Sequence, residues 1–164
     1  MFRRDADGLV AEFSADEARV LRHVVSEILT LLGTGFDRDD PVVERLFPDV
    51  YPDDPREAAE YRRYTEGDLK SGKVEQVGKL LASLPVGGGL VRLDEETAEA
   101  WLRALTDVRL ALGIRLDLAD DTDLEEELDE AVLRDPTSPR VAQLTLYSYL
   151  TYLQESLVGS LAGW

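Results

Sequence analysis

The stretch of sequence that decides the fold is Asp94-Glu-Glu-Thr-Ala-Glu-Ala-Trp-Leu-Arg-Ala-Leu-Thr-Asp-Val-Arg-Leu-Ala-Leu-Gly113. Asp94 stands where an N-cap carboxylate would accept free backbone N–H groups, and Gly113 marks the expected helix end. The stretch therefore predicts an amphipathic helix that buries one face. The apolar residues on that face recur at steps of three and four: Ala98, Trp101, Leu105, Val108 and Leu112.

Similar patterns extend to both sides of this helix. Ser14 and Glu17 have the spacing of a capping box, in which each side chain satisfies a free backbone N–H of the other residue. Gly67 and the Ser71-Gly72 pair predict a break or a kink, because glycine weakens a helix interior. About six helices are expected, at 14–32, 55–70, 73–84, 94–113, 124–132 and 139–159, with one or two helical turns near 42–47.

Two short segments read as β-strands, at 8–13 and 90–93, and each directly precedes a predicted helix. Two strands alone are marginally stable, so we expect them to pair as a small ribbon packed on the helices. The glycines Gly87-Gly88-Gly89 come before a strand, which favours a turn over a phosphate-binding loop. The predicted fold class is therefore mainly α, a single helical domain over 1–164 with a two-stranded β-ribbon.

The charge of the chain argues against binding to nucleic acid. Its 164 residues include 18 Lys and Arg and 34 Asp and Glu, for a formal net charge of −16. Residues 94–135 alone hold fifteen acidic side chains and four arginines. Nucleic-acid binding depends on cations that displace counterions from phosphates. We therefore expect no direct nucleic-acid binding by the chain alone, and attraction to a basic protein surface instead.

The sequence shows no signal for membrane association. It has no run of about 18 apolar residues, the length that a spanning helix requires. The Arg3-Arg4 pair is not followed by the apolar segment of an export signal. We expect no membrane contact and a cytoplasmic location.

The residue types needed for most site chemistry are scarce or badly spaced. The chain has no cysteine, which excludes disulfides and thiolate chemistry. Its one histidine, His23, has Glu27 four residues later, the spacing of a surface helix pair. The acidic runs after Asp37 and Asp121 fail the ligand spacing of a calcium loop. We predict no catalytic, cofactor-binding or metal-ligating residue, and therefore no enzyme.

The last predicted helix is rich in tyrosine. Tyr147, Tyr149 and Tyr152 lie among leucines, and Trp164 ends the chain. Tyrosines in this setting contribute to interfaces, since the ring supplies apolar area while the hydroxyl stays hydrated. The same residues can equally belong to the core with their hydroxyls at the surface. They are candidate interaction residues, for a protein partner or a second copy of the chain in a homodimer.

Three blocks of sequence together resemble a known family. The blocks are Phe13-Ser14-x-x-Glu17, then Leu46-Phe-Pro-Asp-Val-Tyr51 followed by Asp53-Asp54, and Trp101-Leu-Arg-Ala-Leu-Thr-Asp-Val-Arg-Leu-Ala-Leu-Gly-Ile-Arg-Leu116. They resemble an actinobacterial family of unknown function whose members include AosR-like actinobacterial oxidative stress regulators. The resemblance spans nearly the whole chain.

The resemblance implies a small cytoplasmic regulator that acts with the transcription machinery, in particular with an alternative sigma factor. Redox-sensing members carry a Cys-x-x-x-Cys pair near the amino terminus, where this chain reads Arg4-Asp-Ala-Asp-Gly-Leu9. Disulfide sensing is therefore chemically impossible here, and what replaces the pair stays open. Trp101, Asp107 and Arg109 fall in the family motif, although a structural role is the favoured explanation for each.

The function predicted from the sequence is a non-catalytic cytoplasmic regulator that acts through protein–protein contacts. The alternative is a small-molecule sensor, with a pocket between helices near Tyr61, Tyr64 or Trp101. The two differ in whether apolar side chains face solvent or enclose a cavity.

Overall fold

The computed structural model describes residues 1–163, and these are mainly helical, as the sequence predicted. Trp164 lies outside the described residues. In chain order the elements are β1 (Arg3–Asp5), β2 (Gly8–Phe13), α1 (Ala15–Leu32), α2 (Pro41–Leu46), α3 (Pro55–Ser83), β3 (Gly89–Leu93), α4 (Glu95–Arg115), α5 (Leu124–Arg134) and α6 (Pro139–Leu161).

The β-sheet within residues 1–163 has three strands, so the predicted two-stranded ribbon is corrected. β2 pairs antiparallel with β3, as expected, and β1 adds on the other side of β2. Long-range contacts hold β1 in place. The backbone N–H of Phe2 donates to Ser156 Oγ at 3.2 Å, and Arg4 donates to the Ser160 carbonyl at 2.7 Å. Because these partners belong to α6, the local sequence carries no signal for the strand.

The helix starts follow the predicted caps. The Ser14 hydroxyl accepts from the Glu17 N–H at 3.1 Å, and the Ser14 N–H donates to the Glu17 carboxylate at 2.7 Å. The Asp94 carboxylate accepts from the Thr97 N–H at 2.8 Å. Hydrogen bonds from the Thr97 side chain and then from its backbone N–H lower the pKa of Asp94. The capping box and the α4 cap are therefore confirmed.

One predicted break is wrong, because α3 is a continuous helix of 29 residues. The sequence suggested two helices separated near Gly67 and Gly72. Side chains from α3 bind a neighbouring part of the chain along its length. Glu66 pairs with Arg38 at 3.0 Å, and the Lys70 ammonium lies 3.5 Å from the centre of the Phe36 ring. Such contacts outweigh the roughly 1 kcal/mol that each interior glycine costs.

Replacing the interior glycines of α3 by alanine is expected to stabilise the protein. A Cβ at Gly67, Gly72 or Gly78 would meet no other atom within 4 Å. Each substitution should raise the free energy of unfolding by about 0.5–1 kcal/mol, since alanine loses less backbone entropy on folding. Urea unfolding of the three single variants measures this.

Gly88→Ala is the matched control and should destabilise. Its φ is +85° and a Cβ would lie 2.6 Å from the Phe13 carbonyl oxygen. A loss of stability in the α3 variants as well would contradict the argument, because it would mean that the helix needs flexibility at those glycines.

The helix α4 lies at the centre of the main hydrophobic core, in contact with α1, α2, α3 and α6. Its apolar face is buried as predicted, and Trp101 and Leu105 have no exposed surface. A second, smaller cluster joins Leu116, Ala131 and Leu144 between α5 and α6. Most of α4 is covered by other elements, while Glu99 and Arg103 are exposed, so its polar residues on the covered sides are the ones whose surroundings need explaining.

Candidate functional site

The helix α4 carries the three motif residues into three different environments. Trp101 is fully buried in the core, where its ring packs edge-on against Phe2, with centroids 5.4 Å apart, and lies 5.7 Å from Phe13. Its indole N–H donates to Ser83 Oγ at 2.7 Å. This side chain joins the sheet, α3 and α4, which is a structural role.

Asp107 forms an ion pair inside the protein. Both of its carboxylate oxygens lie 3.0 Å from Lys73 Nζ on α3, and the two side chains are 8% and 14% exposed. Burial raises the pKa of Asp107, and the Lys73 ammonium opposes that shift. The carboxylate is thus held in place by a single cation on the neighbouring helix.

Arg109 is partly buried between α4 and α6. Its guanidinium donates to Gln154 Oε1 at 2.6 Å and lies 5.4 Å from the centre of the Tyr147 ring. The Gln154 amide in turn donates to Thr106 Oγ1 at 2.6 Å. The Nε atom of Arg109 is buried and has no hydrogen-bond partner among residues 1–163. Two neutral side chains therefore orient this cation, and part of its hydrogen-bonding capacity is unused.

Arg109 and Tyr147 line a cleft of about 310 Å³ between α2, α4, α6 and the segment that follows α4. Arg45 of α2 is part of the same lining, and no carboxylate of the described residues lies within 4.0 Å of either arginine. The remaining lining residues are Thr106, Leu110, Gly113, Ile114, Leu118, Ala119, Asp120, Thr122 and Leu124.

The end of α4 shapes one wall of this cleft. Asp117 adopts a left-handed conformation, with φ of 58°. The Leu118 N–H donates to the Gly113 carbonyl at 2.9 Å, and the Asp117 N–H donates to the Ile114 carbonyl at 3.1 Å. These two bonds form a Schellman motif, which ends the helix and reverses the chain. Residues 118–122 are thereby turned back beside Gly113 and complete the cleft.

The tyrosines predicted as interaction residues occupy different positions on α6. Tyr147 lies in the cleft beside Arg109, Tyr149 is partly buried against the main core, and Tyr152 is 60% exposed. Trp164 is outside the described residues. The pocket predicted near Tyr61, Tyr64 or Trp101 is not where the cleft lies, since the two tyrosines face solvent and Trp101 is sealed in the core.

Tyr149 gives a pH-dependent prediction. Burial raises the pKa of its phenol well above the usual 10.0, and the negative Glu17 adds to the shift. The unfolded chain therefore ionises first, and the stability tied to this phenol is complete below pH 10 and is lost as the pH rises. Relative to Tyr149→Phe, the protein should lose about 1 kcal/mol of unfolding free energy between about pH 9 and pH 11. Urea unfolding of the wild type and of Tyr149→Phe at both pH values tests this. The prediction is contradicted if the difference in unfolding free energy between the two proteins is the same at both pH values.

The candidate metal and histidine positions remain at the surface. The His23 ring lies 3.5 Å from Glu27 and is 79% exposed. No three His, Cys, Asp or Glu side chains within residues 1–163 are arranged to hold a metal ion. Over the same residues, no helix is long and apolar enough to cross a membrane.

A protein-family model described as a domain of unknown function (DUF2017) matches residues 1–161. The chain belongs to this family. The block that contains Trp101, Asp107 and Arg109 lies within the matched residues.

Curated relatives that match the chain come from mycobacteria. It is 33% identical to the oxidative stress regulator AosR of Mycobacterium bovis (strain ATCC BAA-935 / AF2122/97) and of Mycobacterium tuberculosis (strain ATCC 25618 / H37Rv), over 76% of this chain. A Mycobacterium leprae (strain TN) protein that also carries the AosR name is 29% identical over 87% of this chain. The names describe these relatives as regulators.

The match covers different shares of the relatives. It spans 77% of the Mycobacterium leprae protein, but the chain spans only 59% of the length of the other two. No solved structure matches the chain.

Several residues of the site were not singled out from the sequence, although each left a signal. Gln154 continues the apolar series Leu150, Leu153 and Leu157 on α6, and only 9% of it is exposed. Lys73 lies four residues before the buried Val77 on α3. A polar residue on the apolar face of an amphipathic helix indicates a buried polar partner. The partner of Gln154 is Thr106, and the partner of Lys73 is Asp107.

Proposed function

We propose that this chain is a non-catalytic regulator that acts by binding another polypeptide of the transcription machinery, with a sigma factor as the expected partner. The observation that carries the proposal is an exposed aromatic patch formed by Tyr51, Tyr61 and Tyr64. These side chains are 44%, 41% and 73% exposed, and the Tyr51 and Tyr61 rings lie 6.0 Å apart, edge to face. Tyrosine clusters of this kind are typical of protein interfaces.

The patch is held in a fixed shape. Tyr61 and Tyr64 are one turn apart on α3, and an ion pair between Arg62 and Asp49 binds the segment that carries Tyr51 to the same helix. Preorganised aromatic side chains lose little conformational entropy on binding. The net charge of −16 favours a partner with a basic surface.

The proposed mechanism does not involve a thiol in this chain. The relatives are named for oxidative stress, but the chain has no cysteine and its one methionine is Met1. An oxidant signal would therefore reach the chain through its partner. We also propose that the chain alone does not bind nucleic acid, because the counterion release that drives such binding needs clustered cations. A gel shift at physiological salt with nanomolar affinity would contradict this.

Affinity capture from cells of the source organism tests the proposal. The wild type is compared with the double variant Tyr61→Ser/Tyr64→Ser and with the control Leu133→Ser, which removes an exposed apolar side chain on α5. RNA polymerase subunits or a sigma factor should be retained by the wild type and the control, and reduced about tenfold or more by the double variant. Capture of no transcription protein, or equal capture by all three, would refute the proposal.

The aromatic patch can also serve a second copy of the chain. The mass of the purified protein, measured by light scattering at several concentrations, shows whether the chain is a monomer or a dimer. A dimer that the double variant dissociates would assign the patch to self-association and count against the transcription partner.

A further inference from the structure

We propose that the cleft lined by Arg45 and Arg109 is a binding site for a small organic oxyanion, a carboxylate or a phosphate ester with a short apolar body. The site is separate from the aromatic patch, and its occupancy does not depend on the proposed protein partner. The inference rests on charge, on unused hydrogen-bond donors and on the shape of the cleft.

Carboxylates outnumber cations in the chain as a whole, by 34 to 18. Among residues 1–163, eight of the 18 Lys and Arg side chains have a carboxylate within 4.0 Å. Arg109 is partly buried between two helices, yet its hydrogen-bond partner is the neutral Gln154. Arg45 also has no carboxylate within 4.0 Å among residues 1–163, and both line one cleft. A partly buried cation without a counterion is costly, and an anion in the cleft removes that cost.

The Arg109 guanidinium is only partly hydrogen-bonded. Gln154 occupies Nη1, while the buried Nε has no partner among the described residues. The Tyr147 ring, 5.4 Å away, supports the guanidinium from one side. Guanidinium groups bind carboxylate and phosphate oxygens through their N–H donors, and Arg109 lines the cleft with one neutral acceptor, Gln154 Oε1, bonded to its Nη1. The hydroxyls of Thr106 and Thr122 also line the cleft.

The size of the cleft limits the ligand to a small one. A volume of about 310 Å³ is at the lower end of the range for metabolite sites. Leu110, Ile114 and Leu118 supply apolar surface, and Asp120 is the acidic residue of the lining. A Cβ added at Gly113 would lie 3.5 Å from the Tyr147 ring, so the glycine keeps space open beside the ring. The cleft therefore suits one anionic group with a compact apolar part.

Calorimetric titration of the full chain with phenyl phosphate, benzoate and inorganic phosphate tests the proposal. Each titration is made at a fixed ionic strength with chloride as the reference anion. We expect saturable binding of phenyl phosphate or benzoate, with one ligand per chain, and at least about tenfold weaker binding of inorganic phosphate, which lacks the apolar part. Comparison of phenyl phosphate with benzoate shows which headgroup is preferred.

Three variants locate the binding. Arg109→Gln and Arg45→Gln should each weaken the affinity at least about tenfold, whereas Arg103→Gln, an exposed position on the same helix, should leave it unchanged. Arg45 is exposed, so its variant remains informative even if Arg109→Gln unfolds. The absence of saturable binding by any organic probe, or equal binding by all three variants, would overturn the proposal. Neither result bears on capture through the aromatic patch.

Discussion

Replacing Trp101 by alanine is expected to lower the free energy of unfolding by about 3–5 kcal/mol. The indole has no exposed surface, and its ring packs against Phe2 and Phe13 from the sheet. Truncation would leave a cavity at the junction of the sheet with α3 and α4, which the surrounding backbone can fill only in part. It would also remove the hydrogen bond to Ser83. Urea unfolding followed by far-ultraviolet circular dichroism measures the change.

Two further variants separate packing from hydrogen bonding. Ser83→Ala keeps the indole ring but leaves its N–H without an acceptor, which should cost about 1–3 kcal/mol. Trp101→Phe keeps an aromatic ring and should fold even if Trp101→Ala does not. A loss below about 1 kcal/mol for Trp101→Ala would contradict the central position of this side chain in the core.

The helices could be predicted because their signals are local. The Ser14 and Asp94 caps and the apolar steps after them each involve residues within one or two turns, so the sequence shows them directly. The pairing of β2 with β3 also followed from two strands that each lead into a helix. The fold class was therefore available from composition and periodicity alone.

The features that were mispredicted depend on contacts between distant residues. The strand β1 is held by α6, more than 150 positions away, through the Phe2–Ser156 and Arg4–Ser160 hydrogen bonds. The helix α3 continues through Gly67 and Gly72. Near these glycines, Glu66 pairs with Arg38 and Lys70 lies over the Phe36 ring. Intrinsic propensity is a weak constraint where tertiary contacts are available.

The candidate site was predictable only in part. Arg109 and Tyr147 were singled out from the sequence, one for a family motif and the other for a possible interface. Their meeting in a cleft depends on the packing of α4 against α6 and on Arg45 from α2. Helical periodicity places residues on faces but does not state which faces meet, so the cleft could not be derived from it.

Lys73→Met is expected to be the most damaging change to a charged residue. It leaves the Asp107 carboxylate, 8% exposed, without the ammonium group that it pairs with, and should lower the free energy of unfolding at neutral pH by about 3–5 kcal/mol. The double variant Lys73→Met/Asp107→Leu removes both charges and should recover most of the loss, because two apolar side chains need no compensation. Urea unfolding of both variants at pH 7 provides the comparison.

The pH dependence of Lys73→Met follows from the same carboxylate. Burial already raises the pKa of Asp107 above its usual 3.8, and removal of Lys73 takes away the opposing charge. A raised pKa means that the folded protein holds this proton more tightly than the unfolded chain does. The variant is therefore most stable, relative to wild type, below about pH 4, and the deficit grows as the pH rises through the raised pKa of Asp107. A deficit independent of pH would show that the loss comes from packing of the lysine stem instead of from an unpaired carboxylate.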